Sequence, residues 1–184
     1  DGNGIIQSIF GKTVVWNQLA NKVSVTTAEI SDLGDGTKRV SFTDALSRIG
    51  ASCIAGDRIE MNAKANHKYL YWLDAFLETA TYLAPQPFAN TEVTVHAKKI
   101  ISSVGVWNRT CCIFSSTIEQ KVLPQFHNHT TENLPHNFLI KDYSVPIPVF
   151  DLTQMFGAGN EPSTLDDSRI NWIKDYANEY PEYN

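Results

Sequence analysis

Between Asn66 and Thr79 the chain runs for fourteen residues without a glycine or proline, and tyrosine, leucine, tryptophan and phenylalanine dominate. That composition suits a pleated, half-buried surface, and the stretch is the longest β-type run in the sequence. Side chains alternate across a strand, so Tyr69, Tyr71, Leu73 and Ala75 share one face. Leu70, Trp72, Asp74 and Phe76 share the other. The first set carries no charge and reads as the core face. The second mixes two large aromatics with a carboxylate. It suits a binding face, or equally a face packed under a C-terminal helix or against another subunit, and for Trp72 alone packing is the stronger reading.

Other segments are also strand-like. Val14–Leu19, Val23–Ile30, Arg39–Leu46, Ile49–Met61, Val104–Ser116 and Glu119–Phe126 are expected to be extended, with the turn-rich Asp32–Gly36 between two of them. Glu92–Ile101 alternates, with Val93, Val95 and Ala97 on one side and Thr94, His96 and Lys98 on the other. Pro85 and Pro87 make Leu83–Asn90 a loop or an edge, because proline cannot donate to a ladder. His127–His136 reads as a polar loop, and Asn137–Leu152 as an extended edge or bulged segment. Only the end looks helical. Pro162-Ser163-Thr164 with Asp166-Asp167 resembles a helix start, after which Leu165, Trp172, Ile173 and Tyr176 would line one face. Many short strands with little helix predict an all-β sandwich or barrel. One domain over residues 1–184 is expected, with its core at about 14–152 and a corner and helix at about 153–178.

Charge and hydropathy narrow the partners. A net charge of −5 without a compensating basic run argues against nucleic-acid binding. No uninterrupted apolar run is long enough to span a bilayer, so membrane insertion is not expected. Cys53, Cys111 and Cys112 do not make a disulfide framework. Strand neighbours point to opposite faces, so Cys111 and Cys112 read as buried thiols rather than as a bridge.

A more specific signal is Phe150-Asp-Leu-Thr-Gln-Met-Phe-Gly-Ala-Gly-Asn-Glu-Pro162. Its physical reading is a strand-to-helix corner. Met155 and Phe156 supply apolar cover, while Gly157 and Gly159 allow a left-handed turn. The segment resembles the closing signature of jelly-roll domains similar to carbohydrate-binding modules. These occur in tail-fibre or receptor-binding proteins of phages and prophages and in surface proteins of gut bacteria. Val15–Leu19 resembles the family's opening strand, and His67-Lys68-Tyr69-Leu70-Tyr71 its His-Lys-Tyr strand, with Asn66 where the family usually has glycine. The resemblance implies a jelly-roll β-sandwich of two antiparallel sheets, on a virion, on the bacterial cell surface or otherwise extracellular. It also implies a structural calcium, for which Asp32, Asp35 and Asp57 are available.

No nucleophile motif, phosphate loop or dinucleotide fingerprint is present, so no enzyme, no catalytic residue and no organic cofactor is expected. Asp57, Glu60, Asp74, Glu78 and Glu92 exist as carboxylates but nothing pairs them across a cleft. His127, His129, Glu132 and His136 form the one ligand-rich cluster; it reads as polar surface rather than as a metal site. Aromatic rings are more informative, because sugar rings stack on exposed Trp and Tyr while nearby carboxylates and amides bond their hydroxyls. Trp72, Asp74, Phe76, Trp107 and Tyr82 are therefore the expected ligand-binding residues, with Asn108 and Arg109 as polar partners. The expected function is non-catalytic glycan or host-receptor recognition. The alternative is a structural or oligomerisation domain, with the same aromatics buried between subunits.

Overall fold

A computed structural model describes residues 28–42, 46–50, 52–54, 57–58, 61–79, 82–129, 136–141 and 149–179. In chain order the strands are β1 (Ala28–Asp32), β2 (Thr37–Phe42), β3 (Leu46–Gly50), β4 (Ser52–Ile54), β5 (Asp57–Arg58), β6 (Met61–Ala63) and β7 (Lys68–Leu77). They continue as β8 (Leu83–Ala89), β9 (Thr94–Lys99), β10 (Trp107–Ser115), β11 (Gln120–His129), β12 (His136–Lys141) and β13 (Val149–Asp151). Among the described residues two helices follow, α1 (Leu152–Phe156) and α2 (Ser168–Glu179). The expected opening strand Val14–Leu19 lies outside the described residues.

Sheet A runs β1-β2-β12-β7-β10-β9, and β13 also pairs with β7. Sheet B is built on β11, with β3 and β6 along one side and β8 along the other. Among the described residues every strand pair is antiparallel. From β7 onward the chain crosses repeatedly between the sheets, and pairing is nested: β2 with β12, β3 with β11, β7 with β10. This is a jelly-roll sandwich.

The core sits where the alternation of β7 places it. Tyr69, Tyr71, Leu73 and Ala75 are buried in one cluster with Phe114 of β10, Phe126 of β11 and Phe138 of β12. Their rings contact edge to face and in offset stacks, with Tyr71 5.3 Å from Phe126 and 5.8 Å from Phe114. Cys112 belongs to this inter-sheet cluster, and Cys111 faces the opposite side of β10. Both are free and buried.

A second layer packs on the outer face of sheet A. Phe150, Leu152, Ile170 and Ile173 cover Leu70, Trp72, Cys111 and Ile113, with Met155, Phe156 and Leu165 at the margin. The Phe150–Pro162 stretch is thus a corner that turns the last strand into the helix covering this face. Gly157 and Gly159 have φ of 87° and 84°, values that only glycine adopts without strain. Asn66 takes φ 62°, and asparagine is among the side chains that tolerate this region, which explains how it stands where the related signature has glycine.

The segment Leu83–Ala89 takes the edge form of its two expected alternatives: among the described residues β8 pairs within sheet B only with β11, so its prolines are accommodated. Three other expectations need correction. His127–His129 continues β11 instead of forming a loop, held by Ser47 and Arg48 on one flank and Ala84 and Leu83 on the other. The helix begins at Ser168, later than the Ser163-Thr164 signal. Asp167 is the residue that caps it, accepting from the Arg169 amide at 2.9 Å. Ser163 instead accepts from Lys68 Nζ. Trp172 points outward at 43% exposure, and Ile170 with Ile173 forms the buried stripe.

Candidate functional site

The outer face of sheet A has two parts. One lies under the C-terminal corner and α2; the other is open. Across the open part the strand registers align Arg39 of β2, Leu139 of β12, Phe76 of β7 and Trp107 of β10 in one transverse row. Four adjacent strands make such a row roughly 14 Å long. Phe76 and Trp107 are in ring contact, with centroids 5.8 Å apart and planes tilted by 54°. Trp107 remains 39% exposed. Its ring therefore presents apolar surface to solvent over a fixed base.

Two bidentate ion pairs flank this strip. Arg109 donates from Nε and Nη2 to the two carboxylate oxygens of Asp74 at 2.7 and 2.6 Å. Arg39 does the same to Glu78 at 2.8 and 2.6 Å. Fork-to-fork pairing fixes both partners in a plane and leaves their outward lone pairs and N–H groups aimed in set directions. The side chains of all four are partly exposed, so these directions reach solvent. An apolar ring bordered by oriented acceptors and donors can hold a molecule with a flat apolar side and a rim of hydroxyls.

Of the residues expected to bind ligand, Asp74, Phe76 and Trp107 come together here. Trp72 does not. It is wholly buried beside them, its ring stacked on Phe150 at 4.9 Å and capped by the Arg109 guanidinium at 4.7 Å. A side chain sealed on both faces has no surface to offer a ligand. Tyr82 is also apart from the row, in a groove of about 400 Å³ where β8 meets the end of β9. Arg39 and Leu139 were not anticipated, and Glu78 was noted only as a carboxylate; extending the Trp72–Asp74–Phe76 alternation by two residues reaches Glu78, whereas β2 and β12 enter only through long-range pairing.

Asp32 and Asp35 are both engaged within their own turn. Asp32 accepts from the Gly34 amide at 2.8 Å and from Lys38 Nζ at 3.2 Å, and these bonds hold its carboxyl below the ordinary range. Asp35 accepts from the Thr37 hydroxyl and amide, with the same effect. Both thus serve the β1–β2 turn, and among the described residues no three His, Cys, Asp or Glu side chains converge on a metal position. The side chains of Asp57, His127, His129 and His136, and all of Glu132, lie outside the described residues.

No protein-family model matches the chain. No curated protein matches it. The solved structures it resembles include one described as "CBM4 structure and function", 14% identical over 79% of this chain and 97% of the other, with a TM-score of 0.46. The CBM22-1–GH10 modules of endo-1,4-β-D-xylanase 10B from Clostridium thermocellum, complexed with xylohexaose, are 15% identical over 76% of this chain. The match spans 27% of that chain, with a TM-score of 0.39. A carbohydrate binding module, CBM6cm-2, from Cellvibrio mixtus lichenase 5A in complex with cellotriose is 14% identical over 70% of this chain and 98% of its own, with a TM-score of 0.35.

Proposed function

We propose that this chain is a non-catalytic glycan-recognition module, carried by a phage tail or bacterial surface protein, that reads its ligand on the open part of sheet A. The observation that carries this reading is Trp107, exposed over Phe76 and flanked by the Asp74–Arg109 pair. Sugar faces stack on such a ring, and the ordered carboxylate and guanidinium bond the ring hydroxyls. Asp74 and Glu78 are each engaged by an arginine through both oxygens, an arrangement suited to holding hydroxyls rather than to transferring protons. A glycan array screened with the intact chain and with Trp107→Ala tests it: specific binding that falls at least about tenfold in the variant is expected. Binding to no glycan, or binding to neutral glycans indifferent to Trp107→Ala, overturns it.

One observation favours the alternative of an assembly surface. Val104 and Val106, 47% and 48% exposed, precede Trp107 in the turn that leads into β10. Together they form an apolar group of the kind that subunits cover. Light scattering decides: a monomer at all concentrations removes this reading, and a dimer broken by Val106→Asp supports it.

A further inference from the structure

The groove beside Tyr82 has a simple construction. Leu83 of β8 and Ile101, just after β9, form an isolated antiparallel bridge between the edges of the two sheets, with amide–carbonyl bonds of 2.9 and 3.1 Å in both directions. Both side chains point into the core. Continuing that register places Tyr82 opposite Ser102, Ala84 opposite Ile100 and Gln86 opposite Lys98. These six residues line the groove. From Tyr82 to Gln86 it extends roughly 13 Å, at about 3.3 Å per strand residue.

The groove is polarised along its length. An aromatic ring and a hydroxyl stand at one end, Ala84 and the exposed Ile100 form an apolar middle, and an amide faces a cation at the other end. Lys98 pairs in register with Cys112, whose side chain is in the inter-sheet core, so Lys98 leaves the edge strand on the side that faces β8. Among the described residues no carboxylate forms an ion pair with Lys98. This sets it apart from Arg39 and Arg109, which already hold carboxylates.

We propose that this groove is a second saccharide site, distinct from the Trp107 face, selective for a carboxylate-bearing sugar. The proposal rests on glycan recognition as the function of the chain. One pyranose stacks on Tyr82 over the Ala84–Ile100 floor, and the carboxylate of the next sits between Lys98 and Gln86. A charged hydrogen bond there adds affinity and selects against the neutral analogue. The carboxylate could come from a uronic-acid polymer or from a terminal sialic acid, so both are probes. Titrate the intact chain by calorimetry with tetragalacturonate, with a sialylated trisaccharide, and with the methyl ester of each.

The expected result is binding of one or both acidic probes, with the corresponding ester at least about tenfold weaker. Lys98→Gln, on an exposed side chain, and Tyr82→Ala each reduce that binding about tenfold, Trp107→Ala leaves it unchanged, and added salt weakens it. Binding of neither acidic probe, equal affinity for acid and ester, or indifference to Lys98→Gln overturns the proposal. A chain that binds a neutral glycan through Trp107 and ignores both acidic probes loses the groove and keeps the face; the converse pattern loses the face and keeps the groove.

Discussion

His67 Nδ1 lies 2.8 Å from Oδ2 of Asp151, whose side chain is wholly buried. This contact ties the start of β7 to the residue that ends β13 and caps α1, because Asp151 Oδ1 also accepts from the Gln154 amide at 2.9 Å. Next to it, the Lys68 amide donates to Thr153 Oγ1 at 2.9 Å, and that hydroxyl donates to Glu161 Oε1 at 2.7 Å. The corner is therefore fastened to sheet A at its first turn by hydrogen bonds as well as by apolar packing.

Asp151→Ala removes both the cap and the partner of His67. A cap is worth about 1 kcal/mol and a hydrogen bond to a charged group somewhat more, so a loss of about 2 kcal/mol is expected. For a chain of this size that lowers Tm by roughly 4–8 °C. Asp151→Asn keeps an acceptor for the Gln154 amide and is expected to lose less. Equal stability of wild type and Asp151→Ala in urea unfolding would contradict the fastening.

Trp72 separates packing from recognition. Its removal, Trp72→Ala, opens a cavity under Phe150 and costs about 3–5 kcal/mol. Among the described residues the indole Nε1 has no hydrogen-bond partner, so Trp72→Phe gives up volume without stranding a donor or acceptor, at about 1–2 kcal/mol. The expected outcome is a lower unfolding midpoint for Trp72→Phe with glycan affinity at the wild-type level. A loss of affinity comparable to that of Trp107→Ala would place Trp72 in the site after all.

Those two tryptophans also show what was legible in the sequence. Alternation in Asn66–Thr79 correctly put Tyr69, Tyr71, Leu73 and Ala75 in the core, because a period of two is a local property. The same alternation grouped Trp72 with Asp74 and Phe76, and they do share a face. It could not tell that Phe150 and Ile170 cover one end of that face and leave the other open, since the cover arrives from a distant part of the chain. The Arg39–Glu78 pair was illegible for the same reason: it depends on β12 lying between β2 and β7. Proline left a loop or an edge open for Leu83–Asn90, and β8 is the edge; it also marked the corner. In both places its cost depends on which side of the strand or helix needs a donor.

Acid is expected to loosen the corner. Burial raises the Glu161 carboxyl, but hydrogen bonds from Thr153 and the Gly159 amide, with the charge of Lys68, outweigh it and leave the group below its ordinary 4.5. Its side chain is only 5% exposed. A carboxylate with a depressed folded value stabilises fully above its unfolded value, and that stability is lost as pH falls through the folded one. Asp167 behaves alike, held at about 2 by its hydrogen bonds with Arg169, so its share is lost between 3.8 and about 2. Urea midpoints should therefore fall as pH drops below 4.5, and Glu161→Gln should flatten the upper part of that slope. A slope unchanged by Glu161→Gln would assign the acid sensitivity elsewhere.

The two thiols of β10 offer a test of both clusters at once. Burial raises Cys111, and burial also pushes Cys112 up to about 12, so neither is a thiolate at neutral pH. They face opposite layers: Cys111 lies under α2 and Cys112 between the sheets. In a Cys53→Ser background, the native chain is expected to leave a thiol-reactive disulfide reagent unconsumed, and two equivalents should react once urea unfolds it. Shortening the chain's grip on its outer face, through Asp151→Ala, should expose Cys111 by local opening before Cys112, because only the corner and α2 shield it. Mass mapping of the labelled peptide reads which thiol reacts first. Cys112 labelling first, or both together at the global unfolding rate, would mean that the corner does not open independently of the sandwich.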